Sequence, residues 1–81
     1  MILITDDRNS KFAKKVYNDF PSVTIVETSN KNICSILSQK DNVYIDKNSK
    51  SEKLNSIKLF LEVNVIEYKT IIETPTGYEY Q

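Results

Sequence analysis

The first seven residues, MILITDD, restrict the fold more than any other stretch of this chain. Residues 2–4 are consecutive apolar residues, so a strand made of them presents apolar side chains to both faces of a sheet. Both faces must then be covered, as they are for the central parallel strand of an α/β sheet. Asp6 and Asp7 end the run, because an unpaired carboxylate is costly in a covered sheet. We therefore expect both acids at the carboxyl edge, where ligand sites form in open α/β sheets.

The length and composition are those of a small globular protein. A chain of 81 residues has room for a single domain, residues 1–81, with one modest core. The hydrophobic fraction of 40% and the apolar periodicity argue against a disordered tail. The formal net charge is zero, which disfavours both a generally basic nucleic-acid binder and an acidic mimic of DNA.

Missing residue types narrow the chemistry further. The chain has no histidine and one cysteine, which excludes Ser-His-Asp and Cys-His catalytic machinery and ordinary structural zinc sites. The only glycine is Gly77, far from any strand-to-helix turn, so glycine-rich phosphate loops and dinucleotide fingerprints are missing as well. We therefore expect a protein that is not an enzyme and that requires no cofactor.

The sequence predicts a soluble cytoplasmic protein. No stretch approaches the roughly 20 apolar residues of a membrane span. The first acid follows Met1 too closely for the apolar region of a signal peptide. The lone thiol, Cys34, cannot form an internal disulfide and is predicted to be small and largely buried. Heavy use of Lys, Asn, Ile and Tyr is typical of an AT-rich coding source, so we expect a low-GC bacterium, its phage or a mobile element.

Apolar residues at every fourth position predict a first helix. They are Phe12, Val16 and Phe20, with Ala13 and Tyr17 beside them on the same stripe. Asn9 or Ser10 can cap the first turn, and Pro21 ends the helix near Asp19 or Phe20. The basic residues of this segment most simply form a solvated face, and contact with a phosphate or an acidic partner is the alternative. They are Arg8, Lys11, Lys14 and Lys15.

Two further helices are predicted by the same periodicity. The second follows a cap at Ser29 or Asn30 and buries Ile33, Ile36 and Leu37. The third is predicted over residues 50–62. Its start is marked by Ser49 and Glu52, which have the spacing of a capping box.

The remaining apolar runs predict strands, with a polar turn at residues 39–42. The second, third and fourth strands cover residues 22–27, 43–45 and 64–68. Residues 70–73 and 78–80 flank the proline and glycine of segment 74–77, which predicts a terminal hairpin. The pattern leaves open whether residues 65–73 form one bent strand or two strands broken near Lys69.

The order of these elements predicts an α/β fold, a small three-layer sandwich. Right-handed crossovers with helices on opposite faces give a mostly parallel sheet of order 2-1-3-4 that ends in a C-terminal antiparallel β-hairpin. Asp6, Asp7 and Asp46 then converge between the first and third strands. Carboxylates held close together repel one another unless a cation neutralises them, and Mg²⁺ prefers such oxygen ligands.

Residues 2–7 and 43–46 resemble the first and third strands of response-regulator receiver domains, with their acidic pair and phospho-accepting aspartate. The resemblance implies that Asp6 and Asp7 help to bind Mg²⁺ and that Asp46 attacks a phosphoryl donor. Thr70 is the candidate for the family's switch hydroxyl. The chain departs from the family in two respects: it has no Met-Pro-Gly loop after Asp46 and no fifth parallel strand with a conserved lysine.

Three functions follow as expectations. The first is a small non-catalytic regulatory or inhibitory module that binds another protein, with Tyr78 and Tyr80 of the hairpin as anchors or simply as cover for the sheet edge. Its edge strands also suggest a homodimer. The second is a degenerate receiver-like domain that binds Mg²⁺ and is phosphorylated at Asp46. The third is nucleic-acid contact through Arg8 and the three lysines of the first helix.

Overall fold

The chain folds into a five-stranded mixed sheet with helices on both faces, as a computed structural model of residues 1–39 and 41–81 shows. The strands are β1 (Ile2–Thr5), β2 (Thr24–Glu27), β3 (Val43–Asp46), β4 (Tyr68–Thr74) and β5 (Gly77–Tyr80). The helices are α1 (Lys11–Asp19), α2 (Ile33–Leu37) and α3 (Lys53–Val63). Lys40, which falls in the predicted turn 39–42, lies outside the described residues.

The predicted α/β class is confirmed, with strand order β2-β1-β3-β4-β5. β1 pairs with β2 and β3, and β3 pairs with β4, all in parallel, whereas β5 pairs antiparallel to β4. Every residue of β1 is buried. Its alternating side chains divide the core: Leu3 packs with α1, while Ile2 and Ile4 pack with α2 and α3. The first strand is therefore central, as its unbroken apolar run predicts.

The predicted fourth strand at residues 64–68 is wrong in position. Residues 64–67 close the end of α3, where Val65 has a φ of 55°. The Ile66 N–H donates to the Leu61 carbonyl at 2.8 Å and the Val65 N–H to the Glu62 carbonyl at 3.1 Å, the pattern of a Schellman motif. The apolar pair Val65-Ile66 therefore ends a helix. β4 begins at Tyr68 and runs unbroken to Thr74, so the first strand of the hairpin is also the fourth parallel strand.

The helix starts agree with the sequence only in part. Ser10 caps α1, since its Oγ accepts the Ala13 N–H at 3.1 Å. The capping box at Ser49 and Glu52 is wrong. α3 begins at Lys53, whose N–H donates to Ser51 Oγ. Ser49 Oγ is buried and has no hydrogen-bond partner among the described residues.

The second helix also differs from its prediction. It begins at Ile33, after an Asn32 N-cap whose side chain makes no capping bond. Asn30 instead closes a turn by accepting the Asn32 N–H at 2.8 Å. The predicted burial of Cys34 is wrong, because this five-residue helix buries only Ile33 and Leu37 and leaves the thiol exposed.

Candidate functional site

The carboxyl ends of β1 and β3 are joined by a buried hydrogen bond. Thr5 Oγ1 donates to Asp46 Oδ2 at 2.9 Å, and the Asn48 backbone N–H donates to Asp46 Oδ1 at 3.0 Å. Asp46 is 6% exposed and Thr5 is 1% exposed. Both oxygens of the Asp46 carboxylate therefore accept a bond from the protein, which is the condition under which a carboxylate is tolerated in a covered site.

Asp6 and Asp7 turn towards other partners. Asp6 Oδ1 accepts from Thr28 Oγ1 at 2.9 Å and Oδ2 from the Lys50 N–H at 2.7 Å, which links the end of β2 to the loop before α3. Asp7 accepts the Asn9 N–H at 2.8 Å and shapes the turn before α1. Among residues 1–39 and 41–81, no group of three or more Asp, Glu, Cys or His side chains is placed to hold a metal ion.

Thr70 lies on the other side of the sheet from Asp46. It pairs with Ile45, whereas Asp46 pairs with Ile71. Because neighbouring residues of a strand point to opposite faces, Thr70 and Asp46 do not face each other. The Thr70 hydroxyl points to the Gln81 carbonyl at 3.5 Å.

The basic residues around α1 divide into two groups. Lys15 pairs with Glu73 at 3.6 Å, and its Nζ lies 5.1 Å from the centre of the Tyr78 ring. Lys15 therefore contacts the hairpin from α1 through both of these residues. Across the described ranges, the side chains of Arg8, Lys11 and Lys14 form no ion pair within 4.0 Å.

A cleft of about 360 Å³ lies between α1 and the edge strand β2, and we call it the α1 cleft. It is lined by Arg8, Asn9, Lys14, Tyr17, Asn18 and Ile25. The sequence singled out Arg8 and Lys14 for their charge but placed Tyr17 beside the buried stripe of the helix. Tyr17 is in fact 53% exposed. The sequence feature that indicates this cleft is the spacing of Lys14, Tyr17 and Asn18, which places the three residues on one side of a helix.

A larger cleft of about 480 Å³ lies at the amino ends of β3 and β4. It is lined by Asn42, Val43, Tyr44, Ile66, Glu67, Tyr68 and Lys69. The two charged residues of this lining, Glu67 and Lys69, have opposite signs. The cleft therefore has no net charge with which to select an ionic ligand.

The two hairpin tyrosines have different environments. Tyr78 packs edge-on against Phe12, with ring centres 6.2 Å apart, and against Phe20 at 5.8 Å. Its hydroxyl donates to Asp19 at 2.6 Å. Tyr80 contacts Tyr44, with ring centres 5.4 Å apart, and remains 43% exposed. The side chain of Tyr78 therefore belongs to the packing of α1, and that of Tyr80 lies at the surface.

The backbone of β5 is open on its outer side, which we call the β5 edge. Thr70 and Gln81 exchange both of their backbone bonds, each at 2.9 Å. Bonded and non-bonded pairs alternate along an antiparallel ladder, so Tyr78 and Tyr80 are in non-bonded pairs with Glu73 and Ile71. The N–H and C=O groups of both tyrosines consequently point away from β4. No strand follows β5 in the sheet order of the described residues.

Three aliphatic side chains at the end of α3 are exposed, although the sequence pattern did not predict them at the surface. Leu59 is 60%, Val63 71% and Val65 88% exposed. Leu59 and Val63 are four residues apart and therefore adjacent on the helix surface. The strand predicted at residues 64–68 places the side chain of Val65 in the sheet, so the sequence did not predict that Val65 is exposed.

No helix in the part of the chain that the structure describes is long and apolar enough to cross a membrane. Comparison of the chain with protein-family models, with curated proteins and with solved structures gave no match in any of the three.

Proposed function

We propose that the protein is a small non-catalytic module that binds another protein and regulates or inhibits it, through strand addition at the β5 edge. The observation that carries the proposal is the phase of the β4–β5 ladder, which directs the N–H and C=O groups of Tyr78 and Tyr80 outwards. An extended segment of a partner can pair with these groups and continue the sheet. Main-chain bonds of this kind supply affinity, and flanking side chains supply specificity.

Tyr80 is the side chain best suited to anchor such a partner. Tyr80 is 43% exposed and its ring contacts that of Tyr44, so it presents a large apolar area at little cost in conformational entropy. Tyrosine is among the residues that most often dominate the binding energy of an interface. Glu79, between the two tyrosines, points to the opposite face of the strand and is exposed.

Charge disfavours a second copy of this chain in the two-fold pairing of β5 that is centred on Glu79. In a two-fold antiparallel pairing of β5 centred on Glu79, the carboxylate of Glu79 would lie directly opposite the same carboxylate of the other copy. Like charges in that position are destabilising. A partner strand with Lys or Arg opposite Glu79, and an apolar residue beside Tyr80, is the complementary chemistry.

The carboxyl edge of the sheet supports the non-catalytic part of the proposal. The carboxylate oxygens of Asp46 and Asp6 accept bonds from Thr5, Thr28 and two backbone N–H groups. In these roles the aspartates connect strands and loops. Such bonds stabilise a fold without requiring a ligand.

The test uses proline to block the open edge. Tyr80→Pro removes an outward N–H that makes no bond to β4, and proline is tolerated at such positions of edge strands. Immobilised wild-type protein is used to capture a partner from a host lysate, and the captured protein is then purified and its Kd measured. We expect Tyr80→Pro to weaken binding at least tenfold, by loss of main-chain bonds, while thermal unfolding shows a folded protein.

Two variants separate the causes of any loss. Tyr80→Ala removes the ring but keeps the N–H, so it isolates the side chain. Glu79→Pro removes an N–H directed at Ile72 inside the ladder and is expected to damage the fold itself.

Hydrogen exchange locates the interface directly. In the complex, amide exchange at Tyr78 and Tyr80 should slow, and exchange at Ile25 on the other edge strand should not. Equal affinity of Tyr80→Pro and wild type would exclude strand addition at β5.

A further inference from the structure

We propose that the α1 cleft binds a single nucleotide unit, a phosphate joined through a sugar to an aromatic base. The cleft lies against β2, at the opposite end of the sheet order from β5. The inference therefore stands apart from the protein-binding role of the β5 edge. It rests on four features of the lining: its charge, its exposed ring, its amide side chains and its size.

The charge of the lining selects an anion. Arg8 and Lys14 are its only ionisable residues besides Tyr17. Neither basic side chain forms an ion pair across residues 1–39 and 41–81, and Lys11 lies one turn before Lys14 on α1. Arginine and lysine bind phosphate oxygens through short, charge-assisted hydrogen bonds. The positive end of the α1 dipole, at Lys11, adds to the same potential.

The nearest carboxylates are already engaged by backbone groups. Glu27 Oε2 accepts the Arg8 N–H at 3.3 Å, and Asp7 accepts the Asn9 N–H at 2.8 Å. Neither acid is part of the lining of the cleft. They set a limit to how much negative charge the site accepts, which favours one phosphate over a polyanionic peptide.

The other lining residues suit a planar base. Tyr17 is 53% exposed, and its hydroxyl makes no hydrogen bond within the described ranges. Bases stack on exposed aromatic rings of this kind. Ile25 supplies an apolar floor, and the amide side chains of Asn9 and Asn18 offer both donors and acceptors to a base edge.

The size of the cleft fits one nucleotide. Its volume of about 360 Å³ is near the lower end of the range of small-molecule sites, roughly 300 to 1,000 Å³. A free nucleotide and one nucleotide of a single strand share this chemistry. The cleft is open at the surface, so either source can reach it.

Binding is measured by amide chemical-shift titration of the full chain. The probes are AMP, CMP, GMP and UMP, a short oligouridylate, ribose 5-phosphate, adenosine and a glutamate-rich peptide. We expect shifts at Arg8, Asn18 and Ile25 with the nucleotides or the oligonucleotide, and weaker ones with ribose 5-phosphate and with adenosine, each of which lacks half of the unit. Saturation by mononucleotides identifies a small-molecule site, and binding of the oligonucleotide alone identifies a strand-binding site. Both results support the inference.

Matched variants locate the effect. Lys14→Gln and Tyr17→Leu change exposed side chains, so both proteins should fold, and each should weaken binding roughly tenfold. Lys58→Gln removes a lysine from α3, away from the cleft, and should leave affinity unchanged. Equal losses in Lys14→Gln and Lys58→Gln would overturn the proposal. So would the absence of nucleotide binding, or a glutamate-rich peptide that binds as tightly as the nucleotides.

Discussion

The hydroxyl of Tyr78 donates a 2.6 Å hydrogen bond to the carboxylate of Asp19, 59 residues earlier in the chain. The bond joins the last strand to the last residue of α1. Phe12 and Phe20 pack around the same tyrosine, so the hairpin packs directly against α1. The C-terminal strand is thus part of the core on the α1 face.

Removal of this hydroxyl should destabilise the protein moderately. Tyr78→Phe keeps the ring contacts and loses the bond to Asp19, which is partly solvent-exposed, so we expect a loss of about 1 kcal/mol in the free energy of unfolding. Urea unfolding measures it. Asp19→Asn keeps an acceptor and should cost less. A loss from Asp19→Asn as large as that from Tyr78→Phe would show that the charge of Asp19 matters more than the bond.

Alkaline pH should weaken the fold through the same residue. Burial, and then the hydrogen bond to Asp19, raise the pKa of Tyr78 above its ordinary value of about 10. Above that value the unfolded chain releases a proton that the folded chain keeps, so stability is complete below about pH 10 and falls as the pH rises further. Urea unfolding across this range should give a free energy of unfolding that falls as the pH rises. The fall should be smaller in Tyr78→Phe. Burial, followed by Glu62, also raises the pKa of Tyr68, so a smaller slope should persist in that variant.

Val65 should be a site where glycine stabilises the protein. Its φ of 55° places a β-branched residue in the left-handed region, and its side chain is 88% exposed and packs against little. Val65→Gly relieves this strain but frees the unfolded chain, and the balance should stabilise the fold by about 1 kcal/mol. Thermal unfolding measures the change. Val63→Gly, two residues earlier at the end of α3, should destabilise by a similar amount, and stabilisation by both would refute the explanation.

The bond between Thr5 and Asp46 should be one of the more costly polar contacts to lose. Thr5→Val preserves the shape of the side chain but leaves a buried carboxylate without its hydroxyl donor, so we expect a loss of roughly 1 to 3 kcal/mol. Thr5→Ser keeps the donor and serves as the control in urea unfolding. A loss of stability in Thr5→Ser with none in Thr5→Val would mean that the Thr5 methyl group, and not the bond, stabilises this end of the sheet.

Magnesium titration tests the receiver-like alternative. Because the oxygens of Asp46 and Asp6 already accept four hydrogen bonds, coordination would require these bonds to rearrange. We expect the amide shifts of Asp6, Asp7 and Asp46 to stay constant at millimolar Mg²⁺, also in the presence of a beryllofluoride phosphate mimic. Saturable shifts at all three residues would instead support a metal site and phosphorylation at Asp46.

The parts of the fold that were predictable depend on local pattern. The unbroken apolar run of β1 requires two covered faces, and the order of strands and helices with right-handed crossovers leads to the β2-β1-β3-β4 arrangement. The serine cap of α1 was also readable, because its bond spans only three residues. The strand predicted at residues 64–68 was wrong, since the apolar β-branched pair Val65-Ile66 is equally compatible with a strand and with a helix end.

The candidate sites show where sequence stops being sufficient. It placed Asp6 and Asp46 at the carboxyl edge, but the direction of each side chain depends on Thr28 and Thr5, which reach them only across strands. The sequence offered both Tyr78 and Tyr80 as interface anchors, yet α1 covers Tyr78 and leaves Tyr80 exposed. Periodicity and residue type thus determined the class of fold and the edge at which each residue lies. The tertiary structure alone decided which polar groups are satisfied and which edge and cleft stay open, because those outcomes depend on contacts between residues far apart in the chain.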